Sequence, residues 1–215
     1  MSSGVADYGL RSTWAGEGFD VSVFMSKIHD RQGYYTLDAM SDLSRLLLRP
    51  SQTTMAPFGF TSSIVTGEST WRIEYMNIPS RRFNRIGGFS LQTVDLQETD
   101  VTLGYDSPTW DSFSMGLQHS MSRVSEEPTG LLRRQQENLS FARFDYNVGT
   151  DRNLRLLLAY LHADHSVFGR VTYRWPLNPQ TELEIAFETA GGAGQSQGVA
   201  MSDMTRFFCQ LTHTL

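Results

Sequence analysis

Arginines and carboxylates alternate with apolar residues through Val167 to Ala190, VFGRVTYRWPLNPQTELEIAFETA, and this spacing is where chemistry could reside. With Asn178, Pro179 and Gln180 as a loop, the segment folds on paper into a hairpin that sets Arg174 opposite Glu184, Thr172 opposite Ala186 and Arg170 opposite Glu188. Its other side sets Trp175 opposite Leu183, Tyr173 opposite Ile185 and Val171 opposite Phe187. A slip of one residue would put the arginines among the aromatics, so the pattern itself specifies the register. Arg72, Glu74, Asp145, Arg155 and Glu182 take similar polar positions in their own segments. A wall bearing both signs of charge holds water and a transverse field, which suits small polar or charged solutes. The same pairs could equally do no more than neutralise one another and brace the strands.

A second group of cations, Arg81, Arg82, Arg85, Arg133 and Arg134, falls in stretches that read as long polar connections. Guanidinium grips phosphate or carboxylate with two parallel hydrogen bonds, so these are candidate loop sites for an anion; a solvated charge cluster is the alternative. Catalytic constellations are sparse. Asp164, His165 and Ser166 are consecutive, and three adjacent residues cannot normally converge as nucleophile, base and orienter. His119 and Ser120 alternate to opposite faces, so a serine–histidine pair on the apolar face would have to come from neighbouring strands. His162 and His165 could share a metal, but no third ligand accompanies them. The expectation is therefore no catalytic residue, no metal and no cofactor.

The totals narrow the class. A chain of 215 residues with a net charge of -5 can build a sizeable core and is not suited to general nucleic-acid binding. Lys27 is the sole lysine and Cys209 the sole cysteine, which excludes an internal disulfide framework. No run of about 18 apolar residues forms a membrane helix, whereas barrel strands escape that test because polar residues dilute each one. MSSGVADYGL lacks a charged start followed by an apolar stretch, so no export signal is read at this end.

Five two-faced hairpins can be marked out. The first turns at Gly16 and Glu17, pairing Trp14 with Phe19, Ser12 with Val21, Leu10 with Val23 and Tyr8 with Met25. A connection from Ile28 to about Ala56 follows, where Leu37, Met40, Leu43 and Leu47 recur at helical spacing; a short helix over 37–48 or an irregular loop is expected. The second turns at Gly67 and Glu68, with Ile64, Phe60, Trp71, Ile73 and Tyr75 on one face. A polar connection from about Pro79 to Thr99 comes next, in which GGFSLQTVDL extends the flanking strands in part. The third sets Val101, Leu103 and Tyr105 against Phe113, Met115 and Leu117. The fourth turns around Gly149, with Phe144, Tyr146, Leu156 and Leu158 on the apolar face and a bulge expected between Phe141 and Ala142. The fifth is the charged hairpin above, and TRFFCQLTHTL supplies a last strand. Trp14, Trp71, Trp110 and Trp175 all lie beside short turns, as one half of an aromatic girdle at a membrane interface would.

About eleven strands of roughly nine to eleven residues, joined alternately by tight turns and long loops, are the expected signature of an all-β, antiparallel up-and-down transmembrane β-barrel. A soluble antiparallel sandwich or barrel enclosing an apolar ligand shares the alternation. The whole chain, 1–215, reads as a single barrel domain, and the lone last strand after five hairpins points to a larger, N-terminally incomplete barrel. The segments GLRSTWAGEGFDVSVFMSKIHDR, STWRIEYMNIPSRRFN and FGRVTYRWPLNPQTELEIAFETAGGAGQS, leading into DMTRFFCQLTHTL, resemble the C-terminal part of large Gram-negative porin-like outer-membrane barrels, and more distantly alginate-export-type barrels. Two departures stand: the absent export signal, and Leu215 where such barrels usually end in an aromatic. The resemblance implies a bacterial outer-membrane location, a channel for small solutes, and outer-membrane lipid, lipopolysaccharide and the barrel-assembly machinery as partners.

Overall fold

The computed structural model describes residues 6–31, 33–38, 47–88, 90–125, 129–133, 135–149, 151–163, 165–192 and 204–213, and among these no helix occurs. The strands are β1 (Tyr8–Gly16), β2 (Phe19–His29), β3 (Tyr34–Asp38), β4 (Leu47–Ser51), β5 (Thr54–Met55), β6 (Phe58–Thr66) and β7 (Ser69–Gly87). They continue as β8 (Ser90–Asp106), β9 (Phe113–Val124), β10 (Gln136–Val148), β11 (Arg152–Leu161), β12 (Ser166–Asn178), β13 (Thr181–Gly192) and β14 (Met204–His213). Eleven of them follow one path, β1-β2-β6-β7-β8-β9-β10-β11-β12-β13-β14, with β5 paired to β2; β3 and β4 form a separate two-stranded sheet. Consecutive neighbours along that path make an antiparallel meander, as alternating segments separated by turn residues should.

The register of the charged hairpin is the one its pattern specifies. Trp175 pairs with Leu183, Arg174 with Glu184, Val171 with Phe187 and Arg170 with Glu188. The loop is tighter than three residues: a bulge between Pro176 and Asn178 leaves Pro179 and Gln180 in the turn, and Asn178 Oδ1 accepts from the Gln180 amide at 3.0 Å. Strand β14 continues the pattern, with Phe207 opposite Phe187, Cys209 opposite Ile185 and Leu211 opposite Leu183. In the fourth hairpin Phe144 pairs with Leu156 and Asp145 with Arg155.

Four local expectations are corrected. The first turn uses Glu17 and Gly18, so Trp14 meets Val21 and Leu10 meets Met25. Gly18 takes φ +77°, which a non-glycine residue resists, and this draws the turn one residue along. The slip is by two in pairing and leaves each residue on its face. The helix expected over 37–48 does not hold at either end, because Leu37 lies in β3 opposite Leu48 and Leu47 lies in β4 opposite Asp38; residues 39–46 lie outside the described residues. At Leu37 the helical spacing yields to the strand preference of YYTL, and Pro50 sits acceptably in a two-stranded sheet; Met40 and Leu43 lie outside the described residues. Pro79 to Thr99 is no loop: β7 runs for 19 residues and β8 for 17, well past the 9–11 or so needed to cross a bilayer. Strand β10 pairs with β11 without a break across Phe141 and Ala142, so their pairing holds no bulge there.

The chain packs as two compact units. One comprises Met1–Ser62, Glu74–Val101 and Ser122–Gln136; the other comprises Ser63–Ile73, Thr102–Met121 and Glu137–Leu215. In the first unit a small apolar cluster forms from Phe83, Leu96 and Val124, with Val94 and Leu131 against it. In both units the usual relation of side chain to solvent is inverted. Ser22 of the first unit is fully buried while Leu10 and Met25 are 69% and 60% exposed; in the second, Thr172 is 4% exposed while Val171 and Phe187 are 40% and 46%. An isolated water-soluble sheet would cover the apolar face first.

Candidate functional site

In the second unit the polar face carries two runs of shared ion pairs. Asp106, at the end of β8, bonds to Arg72 of β7 and lies 3.4 Å from Arg143 of β10. Arg143 Nε meets Asp145 Oδ2 at 2.9 Å, and Asp145 Oδ1 accepts from Arg155 Nε of β11 at 2.6 Å. Each of these carboxylates thus sits between two cations on other positions of the face. A second run lies on β12 and β13: Arg170 reaches Glu188 at 3.1 Å and Glu184 at 3.0 Å, while Arg174 takes the other Glu184 oxygen at 2.9 Å. The period of two in both strands makes this possible, since Arg170, Thr172 and Arg174 face one way with Glu184, Ala186 and Glu188. Asp145 and Glu188 keep 13% of their side chains exposed and the arginines 35–52%, so the face is lined by charge that is paired but still wet.

The first unit holds a different ionic arrangement. Arg81 donates from Nε and Nη2 to the two oxygens of Asp30 at 2.7 and 3.0 Å, and from Nη1 to Glu98 at 2.5 Å. Glu98 Oε1 also meets Arg133 at 2.6 Å and accepts from the Ser122 hydroxyl at 3.0 Å. Asp30 and Glu98 have side-chain exposures of 2% and 1%. Both guanidinium groups lie against the Phe83 ring, at 5.7 and 5.6 Å from its centre. Burial works against the charge on Arg81, but its hydrogen bonds to Asp30 and Glu98 outweigh that and raise its pKa.

Of the residues singled out from the sequence, Arg72, Asp145, Arg155, Arg170, Arg174, Glu184 and Glu188 come together in these runs; Glu74 and Glu182 are exposed on their strands and take no part in the ion pairs described. Asp106 and Arg143 complete the first run and were not singled out. The alternation of β8 and β10 placed them on the polar face, and only their spacing from a turn hid them. The loop placement of Arg81, Arg82 and Arg85 is corrected, because all three lie in β7. Arg82 makes a two-pronged pair with Asp95 at 2.8 Å, holding that carboxyl below its ordinary pKa, and Arg85 donates to Gln92 at 2.9 Å. Arg133 is turned onto Glu98, and Arg134 lies outside the described residues. Trp14, Trp71, Trp110 and Trp175 are all exposed, at 55%, 55%, 49% and 39%.

Comparison with known proteins gives a structural likeness. The chain superimposes on OmpT, an outer membrane protein of Vibrio cholerae folded in vitro, with a TM-score of 0.55 and 7% sequence identity. It is an outer-membrane barrel fold. The match covers 95% of this chain and 63% of that protein, so the chain spans less than two thirds of its structural relative. No protein-family model matches the sequence, and no curated protein does. At this identity the likeness speaks for an all-β, up-and-down antiparallel architecture of the outer-membrane kind and does not extend to alginate-export barrels.

Proposed function

We propose that the chain belongs to a porin-like channel of the bacterial outer membrane that passes small polar or charged solutes. The observation that carries this reading is the inversion of burial: paired charges occupy the more enclosed face, and leucines, valines and tryptophans occupy the open one. An open apolar face is satisfied by lipid, and the charged face then lines an aqueous path. Arg72, Arg155, Arg170 and Arg174, with Glu74, Asp145, Glu182, Glu184 and Glu188, line that path together with Asp106 and Arg143. Alternating signs leave no strong net bias, so the path tolerates both cations and anions while rejecting apolar solutes. The four tryptophans form one half of an aromatic girdle, with outer-membrane lipid and lipopolysaccharide as surroundings and the assembly machinery as the partner that inserts the protein.

Planar-bilayer recording tests the reading. Vesicle-refolded protein is expected to give discrete conductance steps, and Glu184→Gln, which takes the carboxylate from Arg174 and leaves Arg170 only Glu188, should move the reversal potential in a salt gradient toward anion preference. Cooperative folding in plain buffer without lipid would defeat the reading and favour a soluble sandwich that encloses an apolar ligand.

A further inference from the structure

A serine and two histidines meet on the exposed apolar face of the second unit, contributed by two neighbouring strands and the turn after a third. Ser140 Oγ of β10 lies 2.8 Å from Nε2 of His162, just past β11, and 3.0 Å from Nδ1 of His119 on β9. The register accounts for it: Ser140 pairs with Tyr160, so His162 is its diagonal neighbour on the same face. The His162 ring is held edge-on by both flanking rings, His119 at 5.5 Å and Tyr160 at 4.7 Å between centres, and the His162 amide donates to the Asn138 carbonyl at 3.0 Å. Tyr160 is itself tied to His165 at 2.9 Å, and His165 holds φ +51°, a costly conformation for histidine.

Two features of the surroundings select a substrate class. An open groove of about 830 Å³ is lined by Leu103, Leu117, Ala142, Leu158 and Val167 together with Ser140 and His119. It is wide and apolar enough for an acyl chain. Along this face β10 reads Tyr146, Phe144, Ala142, Ser140, Asn138, and β11 reads Leu154, Leu156, Leu158, Tyr160, followed by His162 in the turn after it. The change from apolar to polar therefore falls at the serine, and in a bilayer the carboxylic ester of a lipid lies at that same boundary.

We infer that Ser140 and His162 are the nucleophile and general base of an acyl-ester hydrolase acting on membrane lipid, with the acyl chain in the adjoining groove. A serine hydroxyl has one proton, and the shorter contact gives it to His162 Nε2 while His119 donates to the serine oxygen. As Oγ attacks the ester carbonyl, its proton passes to His162, and the His119 N–H stabilises the negative oxygen of the tetrahedral stage. Collapse breaks the ester C–O bond, and the alcohol leaves with the proton from His162. Water, deprotonated by the same histidine, then releases the fatty acid and restores the serine, so the sum is ester plus water to acid plus alcohol. Tyr160 is a positioning residue, acting through the His162 ring. This activity shares with the channel reading only the premise that the apolar face meets lipid.

The test uses the 215-residue chain refolded into phosphatidylcholine vesicles, with strand content checked by circular dichroism, and a long-chain alkyl fluorophosphonate as probe. A single adduct on Ser140 is expected by mass spectrometry, slowed about a hundred-fold in His162→Asn. Fatty-acid release is then followed from phosphatidylcholine vesicles and, separately, from lipopolysaccharide; whichever releases acid names the source of the ester. Ser140→Ala should lose about a thousand-fold or more in rate with strand content unchanged. Ser120→Ala, on the opposite face of β9, should keep the rate. Inserted protein that takes no adduct at Ser140, releases acid from neither lipid, or releases it undiminished by Ser140→Ala overturns the inference. Hydrolysis without conductance would defeat only the channel.

Discussion

Glu98 and Asp145 are both carboxylates held between two arginines, one in each unit, and they differ in what surrounds them. Glu98 is 1% exposed, its arginine partners are 10% and 24% exposed, and an aromatic ring packs on both guanidinium groups. Asp145 is 13% exposed and its partners are 41% and 37% exposed. In the first unit the ions have given up their water, and what holds them is mutual geometry; in the second they keep much of it. Losing one partner from a desolvated set strands the others, whereas losing one from a wet set lets water take its place. The first arrangement thus fixes a long hairpin, and the second gives a charged surface that solutes can touch.

Glu98→Gln should be the most damaging single change, at about 3–5 kcal/mol, because Arg81 and Arg133 are left facing a neutral amide. Urea unfolding of vesicle-inserted protein, followed by tryptophan fluorescence, measures it, and a loss below about 1 kcal/mol would break the contrast between units. Phe83→Ala comes next, at about 3 kcal/mol, since it empties the small cluster with Leu96 and Val124 and removes the ring beneath both arginines. Asp145→Asn should cost only about 1 kcal/mol in the same assay while changing ion preference in bilayers, which separates the two roles of paired charge.

Arg82→Gln should have the smallest effect, under about 1 kcal/mol, because its pair with Asp95 is exposed. Its signature is in pH. Arg82 holds the Asp95 carboxyl below its ordinary value of 3.8, so the pair's contribution is present above that value and is lost as pH falls through the lower, folded-state one. An acid titration of stability should show this loss below about pH 4 in the parent chain and not in Arg82→Gln. An unchanged acid limb in the variant would remove the pair from the account.

In the charged hairpin, where both faces carry a clear pattern, the amino-acid sequence was enough to place the pairs, as with Trp175 on Leu183 and Arg174 on Glu184, whereas in the first hairpin alternation placed the faces and the turn shifted every pair by two. The β7–β8 hairpin was illegible for a physical reason. Its enclosed side carries Arg81 and Glu98, which look like loop residues until Asp30 and Arg133, far off in the chain, are brought to them. Asp106 and Arg143 could have been found by extending the polar parity of their strands to the turn. Ser140 and His162 could not, because the pair depends on register between strands, and a sequence read one strand at a time sees each residue alone.

Cys209 sits opposite Ile185 with Phe207 and Leu211 on either side of it along β14, so the chain's sole thiol is exposed on the apolar face. A nitroxide or an environment-sensitive dye attached there needs no substitution and can react nowhere else. Collisional access of oxygen against a water-soluble nickel chelate at that one native position would report whether the medium on that side of the sheet is hydrocarbon or water, and how deep the label rides.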